Sequence, residues 1–126
     1  MRIEHVAIWV ENLEDQRAFY EKYFAAQASE KYRNPRTRFE SYFLSFESGG
    51  RLELMHRADI GPHDPAEHIG LAHLAFSVGS RQRVDEMTRA LQRAGLTLLD
   101  GPRETGDGYY ESCLLDPEGN RLEVTV

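Results

Sequence analysis

The first ten residues alternate between two faces in the manner of a strand, and apolar residues at helical spacing follow them. Residues 3–10 are rich in β-branched and aromatic types, which predicts a strand that is at least half buried. Asn12 stands where a helix N-cap is expected, and apolar residues then recur near helical spacing as far as Phe24. Further strands are predicted at residues 32–34, 39–46 and 51–56. The first half of the chain therefore has the predicted order βαβββ.

The second half repeats this order after a connector at residues 57–70. A strand is predicted at residues 71–78, and it is followed by a helix that Ser80 caps and Gly95 ends. Strands at residues 96–99, 109–115 and 121–126 complete this half. We therefore predict an α+β protein that is a single domain of two tandem βαβββ modules, residues 1–60 and 70–126.

Short stretches of similar sequence recur in the two modules. Residues 51–54 (RLEL) match residues 121–124 (RLEV) at an offset of 70, and residues 40–41 (ES) match residues 111–112 at an offset of 71. His5 matches His73 at an offset of 68. These matches support an internal duplication and draw attention to residue types that both modules retain.

Length, charge and cysteine content exclude several classes of protein. The 126 residues allow one compact domain, and the net charge of −6 has the wrong sign for binding a phosphate backbone, so no nucleic-acid partner is expected. The longest stretch without Asp, Glu, Lys or Arg is shorter than the roughly 18 residues that a membrane span needs. The first residues lack the pattern of an export signal, which leads us to expect a cytoplasmic protein. Cys113 cannot form an internal disulfide and is expected to be a small buried apolar residue rather than a nucleophile.

Four polar residues are predicted on the strand faces that point away from the helices. In the last strand of each module, the Leu and Val residues must face the helix, and the alternation of a strand then sends Glu53 and Glu123 to the other face. The same rule places His5 and His73 on that face of the first strands. A right-handed crossover would bring the first strand of each module beside its last. We therefore expect His5 beside Glu53 and His73 beside Glu123.

Two such pairs facing each other across a curved sheet would form a set of two imidazoles and two carboxylates, which suits a divalent metal ion. We expect one ion per site, with Ni, Zn or Co preferred and Mn or Fe as alternatives. The competing interpretation is that each His–Glu pair is a hydrogen-bonded couple in a polar cavity or on an exposed sheet face. Because the pair occurs in both modules, the metal interpretation is favoured.

These features resemble the vicinal oxygen chelate superfamily, which contains glyoxalase I, bleomycin-resistance proteins and extradiol dioxygenases. The resemblance rests on the paired modules, on the placement of the histidines and glutamates, and on the turn at residues 116–120 (DPEGN). The set of His5, Glu53, His73 and Glu123 is most similar to that of bacterial glyoxalase I. Dioxygenases and fosfomycin-modifying thiol transferases of the superfamily usually lack a ligand where Glu53 stands. The resemblance implies a curved eight-stranded sheet around a metal cavity.

The resemblance also implies an activity and an assembly. A glyoxalase I-like lyase or isomerase would act through an enediolate on a small hemithioacetal or related vicinal-oxygen substrate, with a thiol as possible co-substrate. Glu123 or Glu53 would move the proton, and we favour Glu123 as the base. A homodimer is implied, with ligands from one chain or from both. The alternatives are an extradiol-type dioxygenase or other superfamily enzyme, and a metal-free binding protein of the bleomycin-resistance kind.

Several residues are candidates for contact with a substrate. Trp9 stands where bacterial glyoxalase I commonly has an arginine for glutathione, and it either lines the cavity or belongs to the core. Arg51 and Arg121 share the face of the glutamates and would meet an anionic substrate or form salt bridges. The segment ending in Tyr109 and Tyr110 either closes over the site or is an ordinary hairpin loop. The connector residues His63 and His68 are expected to face solvent, outside the metal site.

Overall fold

The computed structural model describes residues 1–66 and 69–126, and the chain divides into two compact units, Met1–Pro62 and His63–Val126. The boundary falls within the predicted connector. The expectation for His68 lies outside the described residues.

The first unit is a five-stranded sheet with one helix. Its elements are β1 (Val6–Trp9), α1 (Leu13–Phe24), β2 (Gln27–Ala28), β3 (Tyr32–Asn34), β4 (Phe39–Ser45) and β5 (Arg51–His56). β1 lies parallel to β5, β5 is antiparallel to β4, and β4 pairs with both β2 and β3. The first and last strands of the unit, β1 and β5, are therefore neighbours in the sheet, and α1 and the other strands lie between them in sequence.

Helix α1 covers one face of this sheet. The Asn12 side chain accepts a hydrogen bond from the backbone N–H of Asp15, which confirms the predicted cap. The helix packs against β4 and β5 and contributes Phe19 and Tyr20 to the core. The core residues that β4 and β5 supply are Tyr42, Leu44, Leu52 and Leu54. The predicted alternation of β5 is therefore correct, because its leucines lie under the helix.

The second unit is a four-stranded sheet with one helix. Its elements are β6 (Leu74–Ser77), α2 (Arg81–Arg93), β7 (Leu98–Glu104), β8 (Tyr110–Leu115) and β9 (Arg121–Thr125), and the strands lie in the order β6-β9-β8-β7. Ser80 caps α2 by accepting from the N–H of Arg83, as predicted. The core of the unit consists of Val84, Leu91, Leu114, Leu122 and Val124. Thr88 of α2 is also buried, and its hydroxyl is hydrogen-bonded to that of Ser112 on β8.

The α+β class and the tandem order of elements are confirmed, while several strand limits differ from the prediction. β1 and β6 begin only at Val6 and Leu74, so both histidines precede their strands. β2 was not predicted because two residues carry no recognisable alternation. β7 extends to Glu104 although it contains Pro102, because it is the last strand of its ladder and a missing N–H there breaks no pairing to a further strand. No helix within the described residues has the length and apolar content to span a membrane.

Candidate metal centre

The first unit brings His5 and Glu53 together on the sheet face opposite α1. Ala7 lies directly across from Glu53 in the β1–β5 ladder, and His5 precedes Ala7 by two residues. Although His5 precedes the strand, its imidazole reaches the carboxylate of Glu53. The distance from His5 Nε2 to Glu53 Oε2 is 3.8 Å.

The second unit repeats this arrangement with His73 and Glu123. Ala75 lies across from Glu123 in the β6–β9 ladder, so His73 has the same position relative to its glutamate as His5 has in the first unit. The distance from His73 Nε2 to Glu123 Oε2 is 3.2 Å. Each unit thus presents one imidazole and one carboxylate from the same place in its sheet.

The spacing within each pair can be compared with that of two ligands on one metal ion. Donor atoms about 2.1 Å from a metal, at angles between octahedral and tetrahedral, lie roughly 3.0–3.4 Å apart. The His73–Glu123 separation falls in this range, and the His5–Glu53 pair would have to close by about half an ångström. Imidazole nitrogen and carboxylate oxygen are suitable donors for Zn, Ni or Co. Among residues 1–66 and 69–126, no three His, Cys, Asp or Glu side chains form one metal-binding cluster.

His5 also belongs to a small network on the same face of the first sheet. The carboxylate of Glu4 contacts His5 Nδ1 through one oxygen and Arg51 Nη2 through the other. The hydrogen bond from His5, together with Arg51, lowers the pKa of Glu4 below its ordinary value. The guanidinium of Arg51 lies over the ring of Phe43, 4.4 Å from its centroid, and this ring meets the imidazole of His5 edge-on at 5.2 Å. Arg51 therefore has an anionic partner in Glu4, which is the salt bridge that the sequence offers as the alternative to a substrate contact.

Two further polar residues share the face of Glu123. Cys113 lies directly across from Glu123 in the β8–β9 ladder, and Glu111 is two residues before Cys113 on β8. Burial raises the pKa of Glu111, and the negative charge of Glu123 adds to this effect. Burial likewise raises the pKa of the Cys113 thiol, which disfavours the nucleophilic thiolate.

The sequence repeat does not identify Glu111 as a site residue, because the match of residues 40–41 with 111–112 makes Glu40 its counterpart. Glu40 lies across from His56, whereas Glu111 lies across from Thr125. With the last strands aligned at an offset of 70, the counterpart of Glu111 is Ser41, so the match of residues 40–41 with 111–112 is not structural. The alternation of β8 around Cys113 was the signal that could have found Glu111.

Trp9 lies on the same face as Ala7 and is 41% exposed, so it is not a core residue. Its ring meets Phe39 edge-on with centroids 6.1 Å apart, and Phe39 in turn contacts Tyr32 at 6.1 Å. The guanidinium of Arg57 lies 5.5 Å from the centre of the Trp9 ring. We call Trp9, Phe39 and Tyr32 the aromatic cluster.

The remaining candidates of the second unit lie in different surroundings. The Tyr110 hydroxyl donates to Asp85 Oδ1 on α2 at 2.8 Å, and this bond raises the pKa of the phenol. Tyr110 therefore lies on the helix side of the sheet, on the face opposite Glu123. Tyr109 is 55% exposed and ends a hairpin turn in which its carbonyl accepts from the N–H of Thr105. Arg121 alternates with buried Leu122 and so shares the face of Glu123.

Each unit begins with a strand and a helix, ends with a strand parallel to its first, and carries one imidazole–carboxylate pair at an equivalent place. The chain is therefore built of duplicated modules. Residues 2–124 match the family model described as "Glyoxalase/Bleomycin resistance protein/Dioxygenase superfamily". The chain therefore belongs to this superfamily, and the resemblance deduced from the sequence is confirmed.

Individual relatives are similar over the whole chain. The uncharacterized protein YqjT of Bacillus subtilis (strain 168) is 27% identical over 130 residues, covering 98% of both chains. The crystal structure of a glyoxalase family protein from Enterococcus faecalis has a TM-score of 0.82 at 24% identity and covers 99% of this chain and 97% of that one. Glyoxalase I from Zea mays has a TM-score of 0.81 at 20% identity, covering 98% of this chain and 44% of that one. At these identities the solved structures establish the fold.

Proposed function

We propose that this protein is a divalent-metal-dependent lyase or isomerase of the glyoxalase I type. The observation that carries the proposal is that the His–Glu pair occurs in both units. In each unit the glutamate has the same position in the ladder and the histidine lies two residues before the alanine across from it. The Nε2–Oε2 distances are 3.8 Å in the first unit and 3.2 Å in the second. Both modules of the duplicated chain retain the pair at this position, as two halves of one metal site would require. Superfamily membership supports the proposal, since its members typically bind a divalent metal.

The proposed ligands are His5, Glu53, His73 and Glu123. When bound, the metal would act as a Lewis acid for two adjacent oxygens of the substrate. Each histidine would offer the metal the lone pair of one ring nitrogen. Glu53 is the ligand that separates this site from the three-ligand sites of other superfamily members.

Glu123 is the proposed general base. Its carboxylate would take the proton from the hemithioacetal carbon and return it to the neighbouring carbonyl carbon, while the hydroxyl proton moves to the other oxygen. The product is a thioester of a hydroxy acid, and no electrons leave the substrate. Glu123 is favoured over Glu53 because Cys113 and Glu111 surround it with polar groups, whereas Glu53 lies across from the ring of Phe43.

The aromatic cluster favours a substrate with a flat or apolar substituent. Trp9 follows His5 by four residues and is partly exposed on the same face. It offers an aromatic ring at the position where an arginine would suit the charged groups of glutathione. The thiol partner is therefore left open. The same cluster favours a second candidate function, an extradiol-type dioxygenase that accepts a catechol.

Metal analysis followed by two assays tests the proposal. Purified protein is stripped of metal, reloaded separately with Ni, Co, Zn, Mn and Fe, and assayed with methylglyoxal or an aryl glyoxal plus glutathione and other thiols. Thioester formation with Ni, Co or Zn is the expected result. Oxygen consumption on a catechol with Fe or Mn would favour the dioxygenase, and failure to retain any metal would contradict both metal-dependent candidates.

The role of Glu123 is tested with a matched pair of variants. Glu123→Gln should keep part of the metal affinity but lower kcat by about 10²–10⁴-fold, the usual contribution of a general base. Glu111→Gln removes a carboxylate from the same sheet face and should change kcat by less than about tenfold. Equal losses in the two variants, or none in Glu123→Gln, would rule out the assignment.

We also propose that the active species is a homodimer, in keeping with superfamily members, which are often dimers. Co-expression of His5→Gln with His73→Gln subunits distinguishes the two possible arrangements of the site. If each site draws one pair from each subunit, the mixed dimer regains an intact site and measurable activity. If each site lies within one chain, the mixture stays inactive.

A further inference from the structure

We propose that Glu4 is a positioning residue that holds His5 as its Nδ1–H tautomer and so leaves the Nε2 lone pair directed toward Glu53. One oxygen of Glu4 contacts His5 Nδ1. An ionised carboxylate can only accept hydrogen bonds, so Nδ1 must carry a proton, and in the neutral imidazole Nε2 is then bare. Nε2 is also the nitrogen that lies 3.8 Å from Glu53. The metal-binding part of this inference rests on the proposed function, whereas the choice of tautomer does not.

The position of His5 before β1 makes the contact with Glu4 possible. In a regular strand, neighbouring residues point to opposite faces, and two consecutive side chains would not meet. Because β1 begins only at Val6, residues 4 and 5 are outside the ladder and their side chains lie together. The late start of the strand, which the sequence did not predict, thus has a consequence for the site.

Arg51 fixes the orientation of Glu4. Its Nη2 donates to the carboxylate oxygen that His5 does not use, so each oxygen of Glu4 has its own donor. The guanidinium of Arg51 rests on the ring of Phe43, and the same ring touches the edge of the His5 imidazole. The four side chains form a closed ring of contacts, in which a cation and an aromatic ring hold the carboxylate beside the imidazole. A metal-binding histidine is commonly oriented in this way by a carboxylate on its second nitrogen.

The second module offers an internal comparison. At the offset of 68 that relates His5 to His73, the counterpart of Glu4 is Ala72. This module has no carboxylate at the equivalent position, so removal of Glu4 should affect one histidine and leave the other unchanged. The two modules are therefore duplicated in their ligands but differ in how the histidine is oriented.

The tautomer can be measured directly on metal-free, ¹⁵N-labelled protein by long-range ¹H–¹⁵N correlation at about pH 8.5, where imidazoles are neutral. His5 in the wild type should show the Nδ1–H pattern. Glu4→Ala should move His5 toward Nε2–H, the form that a solvated histidine side chain prefers. Glu4→Gln keeps an oxygen acceptor and should restore Nδ1–H, and the signals of His73 should stay the same throughout.

Metal titration of the same variants provides a second readout. Zn affinity should fall by about 10- to 100-fold in Glu4→Ala and stay within about threefold of wild type in Glu4→Gln. Glu21→Ala, which removes an exposed glutamate on α1, is the control and should change neither readout. An Nε2–H pattern for His5 in the wild type, or an unchanged pattern in Glu4→Ala, overturns the proposal. If the tautomer responds as expected but no variant or wild type binds metal, the positioning role stands and the proposed function fails.

Discussion

Gly101 should tolerate no side chain, because β7 approaches β8 closely at this residue. Its backbone has φ +91°, and a Cβ added there would lie 2.5 Å from the carbonyl oxygen of Glu111 and 2.8 Å from the Cα of Ser112. Both atoms belong to the backbone of β8, so a rotation of a side chain cannot relieve the overlap. The contact lies at the strand that carries Glu111 and Cys113.

The expected cost of Gly101→Ala has two parts. A non-glycine residue in the left-handed region costs about 1–2 kcal/mol. Forcing the two strands apart costs about 1–3 kcal/mol more, as for other overpacked sites. With a urea m-value of about 1.5 kcal/mol/M, a total of about 2–5 kcal/mol lowers the unfolding midpoint by about 1.3–3.3 M.

Gly108→Ala is the matched control for this experiment. Gly108 has φ +93°, but an added Cβ would meet no described atom within 4 Å, so only the backbone cost of about 1–2 kcal/mol applies. Its midpoint, followed by circular dichroism in urea, should fall by about 1 M. Equal midpoints for the two variants would refute the reasoning, since the approach of β7 to β8 would then contribute nothing.

Three further predictions concern the core, the pH dependence and the aromatic cluster. Thr88 donates to the carbonyl of Val84, so the hydroxyl of Ser112 must donate to Thr88. Thr88→Val leaves the Ser112 hydroxyl without this partner and should lower the free energy of unfolding, measured by thermal unfolding, by about 1–3 kcal/mol. Adding Ser112→Ala to Thr88→Val should recover part of the lost stability. A hydrogen bond from Lys31 lowers the pKa of Glu14 below its ordinary value of 4.5 in the folded protein. The ionised carboxylate therefore stabilises the fold above pH 4.5, and this contribution is lost as the pH falls through the folded pKa. In Glu14→Gln, the free energy of unfolding should fall less between about pH 5 and 3 than in the wild type. Trp9 is the single tryptophan, so its fluorescence reports on a ligand bound beside the aromatic cluster. Benzohydroxamate, which has an aromatic ring, should quench this fluorescence in the metal-loaded protein at about 5- to 10-fold lower concentration than acetohydroxamate, which has none. Equal affinities for the two compounds would exclude an aromatic subsite.

Much of the fold was predictable because its signals are local. The caps Asn12 and Ser80 and the alternating leucines of β5 depend only on nearby residues, and all are found as expected. The limits of β7 were wrong because glycine and proline normally end a strand, yet the last strand of a ladder accepts both. Whether a strand is the last of its ladder depends on the order of the strands in the sheet, and no local sequence pattern indicates this order.

The pairing of each histidine with its glutamate was also predictable, because the parity of the last strand places the glutamate and the parallel first strand starts beside it, just after the histidine. The same parity puts Tyr110 on the helix side with Ser112 and Leu114, because it alternates with Glu111. Glu4 could not be found by parity, since its contact with His5 arises where the strand has not yet begun. The sequence thus identifies the ligand candidates and misses the residues that orient them.

The most direct test of the account is the metal content of the reloaded wild type and of four single variants, His5→Gln, Glu53→Gln, His73→Gln and Glu123→Gln. If both pairs hold one ion together, the wild type binds one equivalent per site and substitution in either pair weakens that same ion. Metal affinity that is unchanged in both variants of one pair would contradict a shared centre.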